Sequence, residues 1–135
     1  MTTRTEARDA IVAYLDPAWR TAFPSVPIFY ENTTQVELDT IGSAFLQAEI
    51  NYDDSQRLDI DEDPHSQTWG NVSLRLFAKE GTGTRQVLLM QDTIEGLMKY
   101  RKLGGLTLDC PTPGKKIPKD GWTSYDIHVP FQYFH

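Results

Sequence analysis

Phe45-Leu46-Gln47-Ala48-Glu49-Ile50-Asn51-Tyr52 decides the fold class. Leu46, Ala48, Ile50 and Tyr52 alternate with Gln47, Glu49 and Asn51, the period of a strand with one buried and one wet face. A second alternating run spans Asn71 to Ala78. Val72, Leu74 and Leu76 take one side of it, and Ser73, Arg75 and Phe77 the other. Two half-buried strands in succession predict an antiparallel sheet. Asp53-Asp54-Ser55-Gln56 carries turn chemistry and is expected to end the first strand. An acidic loop, Asp59-Ile60-Asp61-Glu62-Asp63-Pro64, lies between the two, and Lys79-Glu80-Gly81-Thr82-Gly83 breaks the second.

Upstream, Ala7, Ala10, Ile11, Tyr14 and Leu15 recur at helical spacing. Thr3 or Thr5 can cap that helix, with Glu6 three residues after Thr3 as a capping box requires. Asp16-Pro17 is expected to interrupt it, with Pro17 opening a further short turn through Trp19. Phe23-Pro24-Ser25-Val26-Pro27 then leads to an extended Ile28-Phe29-Tyr30. Downstream, a second helix is expected from about Thr84 to Lys102, with Val87, Met90, Ile94, Leu97 and Met98 as its core stripe. Lys99, Arg101 and Lys102 complement its dipole, and Gly104-Gly105 stops it. Leu106 to Cys110 reads as a short strand. Pro111 to Asp120, with three prolines and three lysines, reads as an exposed loop. In the last strand, Trp122 to Phe134, Tyr125, Ile127 and Val129 share a face, His128 points away from it, and Pro130 implies an edge or a bulge. The order helix-strands-helix-strands predicts one α+β domain over residues 1–135, with two helices on one face of a mostly antiparallel sheet.

The 135 residues are 39% hydrophobic and 24% charged, enough for one core without staples. Thirteen Lys and Arg stand against nineteen Asp and Glu, a net charge of −6. Wrapping duplex DNA needs clustered cations, so this balance argues against that role, although a small basic patch remains compatible with it. A single cysteine, Cys110, excludes an intrachain disulfide and a cysteine-based zinc site. The charged N-terminus lacks a signal-peptide pattern and no apolar run is long enough for a membrane span, so an intracellular protein is expected.

Chemical motifs are weak. Asp59, Asp61 and Asp63 have the spacing of a calcium loop, but Pro64 and Gly70 occupy the positions that need Gly and Glu. Gly81-Thr82-Gly83 begins like a dinucleotide loop and lacks the third glycine. Gly114-Lys115-Lys116 ends like a phosphate loop without its first glycine or its Ser/Thr. His65, His128 and His135 lack partners at ligand spacing. Cys110 sits at a strand end beside Pro111, and Ser43 and Ser124 lack a nucleophile-elbow context. No catalytic, metal or cofactor residues are therefore assigned.

The arrangement of the chain resembles the lambda-type phage tail terminator family, minor tail proteins that cap the tail tube and join it to the head. The resemblance rests on the N-terminal helix ending near Trp19 and on the segment Pro24-Ser25-Val26-Pro27-Ile28-Phe29-Tyr30-Glu31-Asn32. It continues through the two central strands and the join Phe77-Ala78-Lys79-Glu80-Gly81-Thr82-Gly83 into the second helix, and ends in the aromatic strand Trp122 to Tyr133. The family's Trp or Arg before the central strand is represented by Trp69-Gly70. The resemblance implies a structural protein, not an enzyme, located in the virion tail and in the host cytoplasm during assembly. It implies a ring, usually a hexamer, that binds the last ring of tail tube protein, halts its polymerisation and offers its other face to a head-completion protein. Family members can be monomeric until docked. A closed ring leaves no free end in its plane, and a top face unlike the tube's stops growth. A head-completion or neck connector is the alternative function. A small ligand-binding domain or enzyme is a further one.

On this reading Phe77, Phe131, Tyr133 and Phe134 are interface candidates, because the chain has more aromatic residues than one small core must hide. Lys115, Lys116 and Lys119 are candidates for an acidic partner surface. Asp53, Asp54, Asp59, Asp61, Glu62 and Asp63 are candidates for a DNA-repelling lumen, through which DNA passes without specific binding. An ordinary solvated outer loop is the other reading of that run.

Overall fold

Apolar alternation on the strands and apolar stripes on the helices meet in one core, as seen in a computed structural model of the chain. The structure describes residues 3–30, 44–57, 66–79, 85–119 and 121–134. Elements follow in the order α1 (Arg4–Ala22), β1 (Ile28–Tyr30), β2 (Ala44–Arg57), β3 (Ser66–Lys79), α2 (Arg85–Met98), β4 (Lys102–Leu103), β5 (Leu106–Leu108), β6 (Thr112–Lys119) and β7 (Trp122–Phe134). The architecture is α+β. The strands form one sheet in the order β1-β2-β3-β7-β5-β4, with β6 also paired to β7. Every pairing is antiparallel except β1 with β2.

Thr3 caps α1. Its Oγ1 accepts from the Glu6 backbone N–H at 3.1 Å and donates to Glu6 Oε1 at 3.2 Å. Ala7, Ile11, Leu15 and Trp19 form its buried stripe. Pro17 does not interrupt the helix as expected. It has no N–H to give to the preceding turn, a defect that costs a helix about 3 kcal/mol in isolation. Trp19, two residues on, offsets this: it is fully buried and its Nε1 donates to the Val26 carbonyl at 3.0 Å. Arg20 Nε donates to Asp16 Oδ2 at 2.8 Å, and the Tyr30 hydroxyl donates to Asp16 Oδ1 at 2.9 Å, binding both sides of the proline to one carboxylate.

Strand β2 runs past Tyr52 instead of turning at Asp53. A bulge between Tyr52 and Asp54 absorbs one residue, and the ladder with β3 continues to Arg57↔Ser66. Gly70 permits this geometry. A Cβ there would lie 2.2 Å from the Asn51 carbonyl oxygen and 2.5 Å from the Phe131 ring. Helix α2 stops at Met98, four residues earlier than expected. Tyr100 adopts φ 53, so the chain leaves the helix at a left-handed residue and Lys102 begins a strand. Gly104, at φ 63, instead turns the β4–β5 hairpin.

The segment expected as a proline- and lysine-rich loop is β6, paired with β7 from Thr112↔His128 to Lys119↔Trp122. Prolines and lysines blunt an exposed edge, so edge strand and loop share a composition. Strand β7 is internal, against the edge inferred from Pro130. The Pro130 carbonyl accepts from Asp109 N–H, so its nitrogen points to the same side, at the gap where β7 changes partner from β6 to β5. No rung of the β3–β7 ladder loses a donor there.

Candidate functional site

Both helices bury their stripes against one face of the sheet: Leu46, Ala48 and Ile50 of β2, Val72, Leu74 and Leu76 of β3, and Ile127, Val129, Phe131 and Tyr133 of β7. The opposite face carries a polar row and an aromatic group.

The polar row follows from register. Asn51 faces Asn71, and Ser73 faces His128. Ser73 Oγ lies 3.2 Å from His128 Nδ1 and donates to Asn71 Oδ1 at 3.1 Å, while Asn51 Nδ2 reaches both Asn71 Oδ1 and Ser73 Oγ. Asn71 Nδ2 donates in turn to Asp53 Oδ2 at 3.1 Å. Arg75 and Asp126, also directly opposed, form an ion pair at 3.5 Å; the geometry misses a hydrogen bond, and the buried Asp126 Oδ1 is left without one. Gly114 of β6 covers this point, where a Cβ would come within 2.7 Å of the Asp126 Cβ. A serine beside a histidine is the start of a nucleophilic pair. Here the buried Ser73 hydroxyl is also engaged by two amide side chains, those of Asn51 and Asn71, so the pair belongs to a hydrogen-bonded row. Among the described residues no group of three His, Cys, Asp or Glu could hold a metal ion. No described helix is long and apolar enough to cross a membrane.

The aromatic group lies at one end of the same face. Phe45 stacks on Phe77 with centroids 4.5 Å apart, and Phe29 and Trp122 meet Phe45 edge-on at 5.9 and 5.3 Å. Phe45 and Trp122 are buried and Phe77 is half-buried.

The aromatic interface candidates separate accordingly. Phe131 and Tyr133 are 1% and 2% exposed, and belong to the core instead of a contact surface. They continue the face of Ile127 and Val129, two and four residues on, where Phe131 packs edge-on against Tyr52 at 5.9 Å. Phe134 is 51% exposed. It faces Gln67, ten residues along β3 from Phe77, or about 33 Å at strand rise, so the two do not form one patch. Lys116 is exposed, with its Nζ 5.7 Å from the Tyr125 ring centroid, and Lys115 and Lys119 lie on the same edge strand. Asp53 is exposed at the bulge and Asp54 pairs with Trp69 on the ladder. Asp59, Asp61, Glu62 and Asp63 fall outside the described residues.

Two polar contacts elsewhere shift ionisation. Asp16 is held below the usual carboxylate range, first by the Arg20 hydrogen bond and with a further contribution from Tyr30. Burial and the Asp16 carboxylate push the Tyr30 phenol up. The exposed Tyr100 phenol is also raised, by hydrogen bonding with Cys110.

No family model matches the chain, and no curated protein matches it. A solved structure aligns over 98% of this chain and 96% of its own, with a TM-score of 0.74 and 16% sequence identity. The likeness is one of fold. The two-layer arrangement thus recurs over nearly the full length of both chains.

Proposed function

We propose that this protein is a structural ring component of a phage tail, the terminator that caps the tail tube, stops its polymerisation and presents the surface joined by the head-completion protein. The sequence order that resembles the terminator family supports this reading. The structural observation that carries it is a sheet on which both described helices pack against one face, while the other face holds the Phe29, Phe45, Phe77 and Trp122 group. Such a domain has distinct front and back surfaces, as a ring with unlike upper and lower faces requires. Its partners are further copies of itself, the tube protein and the head-completion protein, with DNA passing through the closed ring.

Negative-stain microscopy of tails assembled with and without the protein tests the proposal. It should label the head-proximal tube end, and its removal should give overlong, irregular tails. Uniform tails of normal length in its absence would sink the terminator role, and binding to the head side of the neck would assign it to the connector class.

A further inference from the structure

Charge is segregated along this acidic chain. Residues 53–63 hold six carboxylates and one arginine, whereas residues 99–119 hold six cations and one carboxylate. The sheet sets parts of these two stretches at opposite ends of one line. Asp54 on β2 faces Trp69, and Trp69 faces Gln132 on β7. Gln132 faces Thr107 on β5, and Thr107 faces Lys102 on β4. That rung spans four strand spacings, about 19 Å.

Beside its β2 end Asp53 is exposed, and Glu49, opposite Ser73 and four residues before Asp53 on the same strand, is exposed as well. At its β4 end Lys99, Arg101 and Lys102 are all exposed around Tyr100, itself 63% exposed. The left-handed backbone at Tyr100 folds these cations into one tight turn. Lys99 lies over the Tyr100 ring and Arg101 donates to the Gly96 carbonyl, and among the described residues none of the three cations forms an ion pair.

We infer that the two ends of this rung are the two halves of one contact between copies of the chain. The Lys99–Lys102 turn of one copy docks on the Glu49 and Asp53 side of β2 in the next. Two different, oppositely charged patches on opposite sides of a subunit make a head-to-tail contact, the kind that closes into a ring. A second copy is the occupant that the charge pattern fits, because the chain carries both complements, toward opposite sides of its own sheet. This inference rests on the ring proposed above. It assigns the Asp53 side of the hairpin to a subunit boundary rather than to the lumen.

The test uses the full chain and two charge reversals, Lys99→Glu/Arg101→Glu/Lys102→Glu and Glu49→Lys/Asp53→Lys. Self-association is measured by sedimentation velocity in solution and by microscopy on purified tail-tube ends, with melting temperature as the control for folding. Wild-type association should weaken about tenfold or more as salt rises from roughly 50 to 500 mM. Each reversed variant should fail to associate alone, and an equimolar mixture of the two should recover association, since each then offers the charge the other lacks. Rings that form normally from either variant would overturn this contact and leave the ring itself standing. The contact is equally overturned if a variant keeps its rings but loses binding to the tube protein or DNA. Wild-type protein that stays monomeric both in solution and on tube ends would sink both the contact and the ring.

Discussion

Truncating Phe131 to alanine should lower the melting temperature by roughly 11–18 °C. Phe131 is 1% exposed, its ring meets Tyr52 and Tyr133, and it lies against the backbone at Gly70. Loss of a buried phenylalanine removes its transfer free energy and leaves a cavity, together about 3–5 kcal/mol. For 135 residues the unfolding entropy near the melting point is about 0.28 kcal/mol/K, so each kcal/mol moves the midpoint by about 3.5 °C. Phe134→Ala is the internal control: at 51% exposure it should stay within about 0.5 kcal/mol of wild type. Differential scanning calorimetry at a fixed, low protein concentration separates folding from association. A Phe131→Ala protein that melts within 2 °C of wild type yet no longer associates would refute the core assignment and return Phe131 to the interface.

Trp19→Phe keeps most of the apolar volume but strands the Val26 carbonyl, and should cost about 1–3 kcal/mol in urea unfolding; an unchanged midpoint would detach Trp19 from the continuity of α1 past Pro17. Gly96→Ala fills open space on the exposed face of α2 and should stabilise the domain by about 0.5–1 kcal/mol. If this variant melts higher but associates less, that helix face is itself a contact. Asp16 has a folded-state pKa below its unfolded value, so its contribution is present above pH 3.8 and is lost as pH falls through the lower folded value. The stability gap between wild type and Asp16→Asn should therefore be full at pH 6 and close below pH 3.8; a gap that widens on acidification would contradict the Arg20 and Tyr30 pairing.

Local periodicity made much of the fold legible. The α1 residues Ala7, Ile11 and Leu15, the α2 stripe and the alternation of Leu46, Ala48 and Ile50 lie where their spacing puts them. What escaped depended on partners distant in sequence. Extending Tyr125, Ile127 and Val129 by two more steps reaches Phe131 and Tyr133, but Pro130 intervenes and suggests a break, until β5 and β6 are known to meet there. Asp53-Asp54-Ser55-Gln56 has turn chemistry, and a bulge accommodates it without a turn. The prolines and lysines of β6 describe a guarded edge in the same residues that describe a loop. The Ser73–His128 pair and the line from Asp54 to Lys102 leave no local signal at all, because both exist only once β3, β7, β5 and β4 are in register.

The placement of β7 has a consequence for how the domain is made. Among the described elements this strand comes last in chain order, yet it sits between β3 and the β5 and β6 strands. During synthesis the β2–β3 hairpin can pair as soon as it emerges, whereas the inner margin of β3 must wait for a segment some fifty residues later. Until then the nascent chain displays an unpaired ladder edge beside Val72, Leu74 and Leu76, a template for pairing with neighbouring chains on the same message. Yield in an overexpressing cell should therefore be governed by the rate at which β7 arrives more than by the stability of the finished domain.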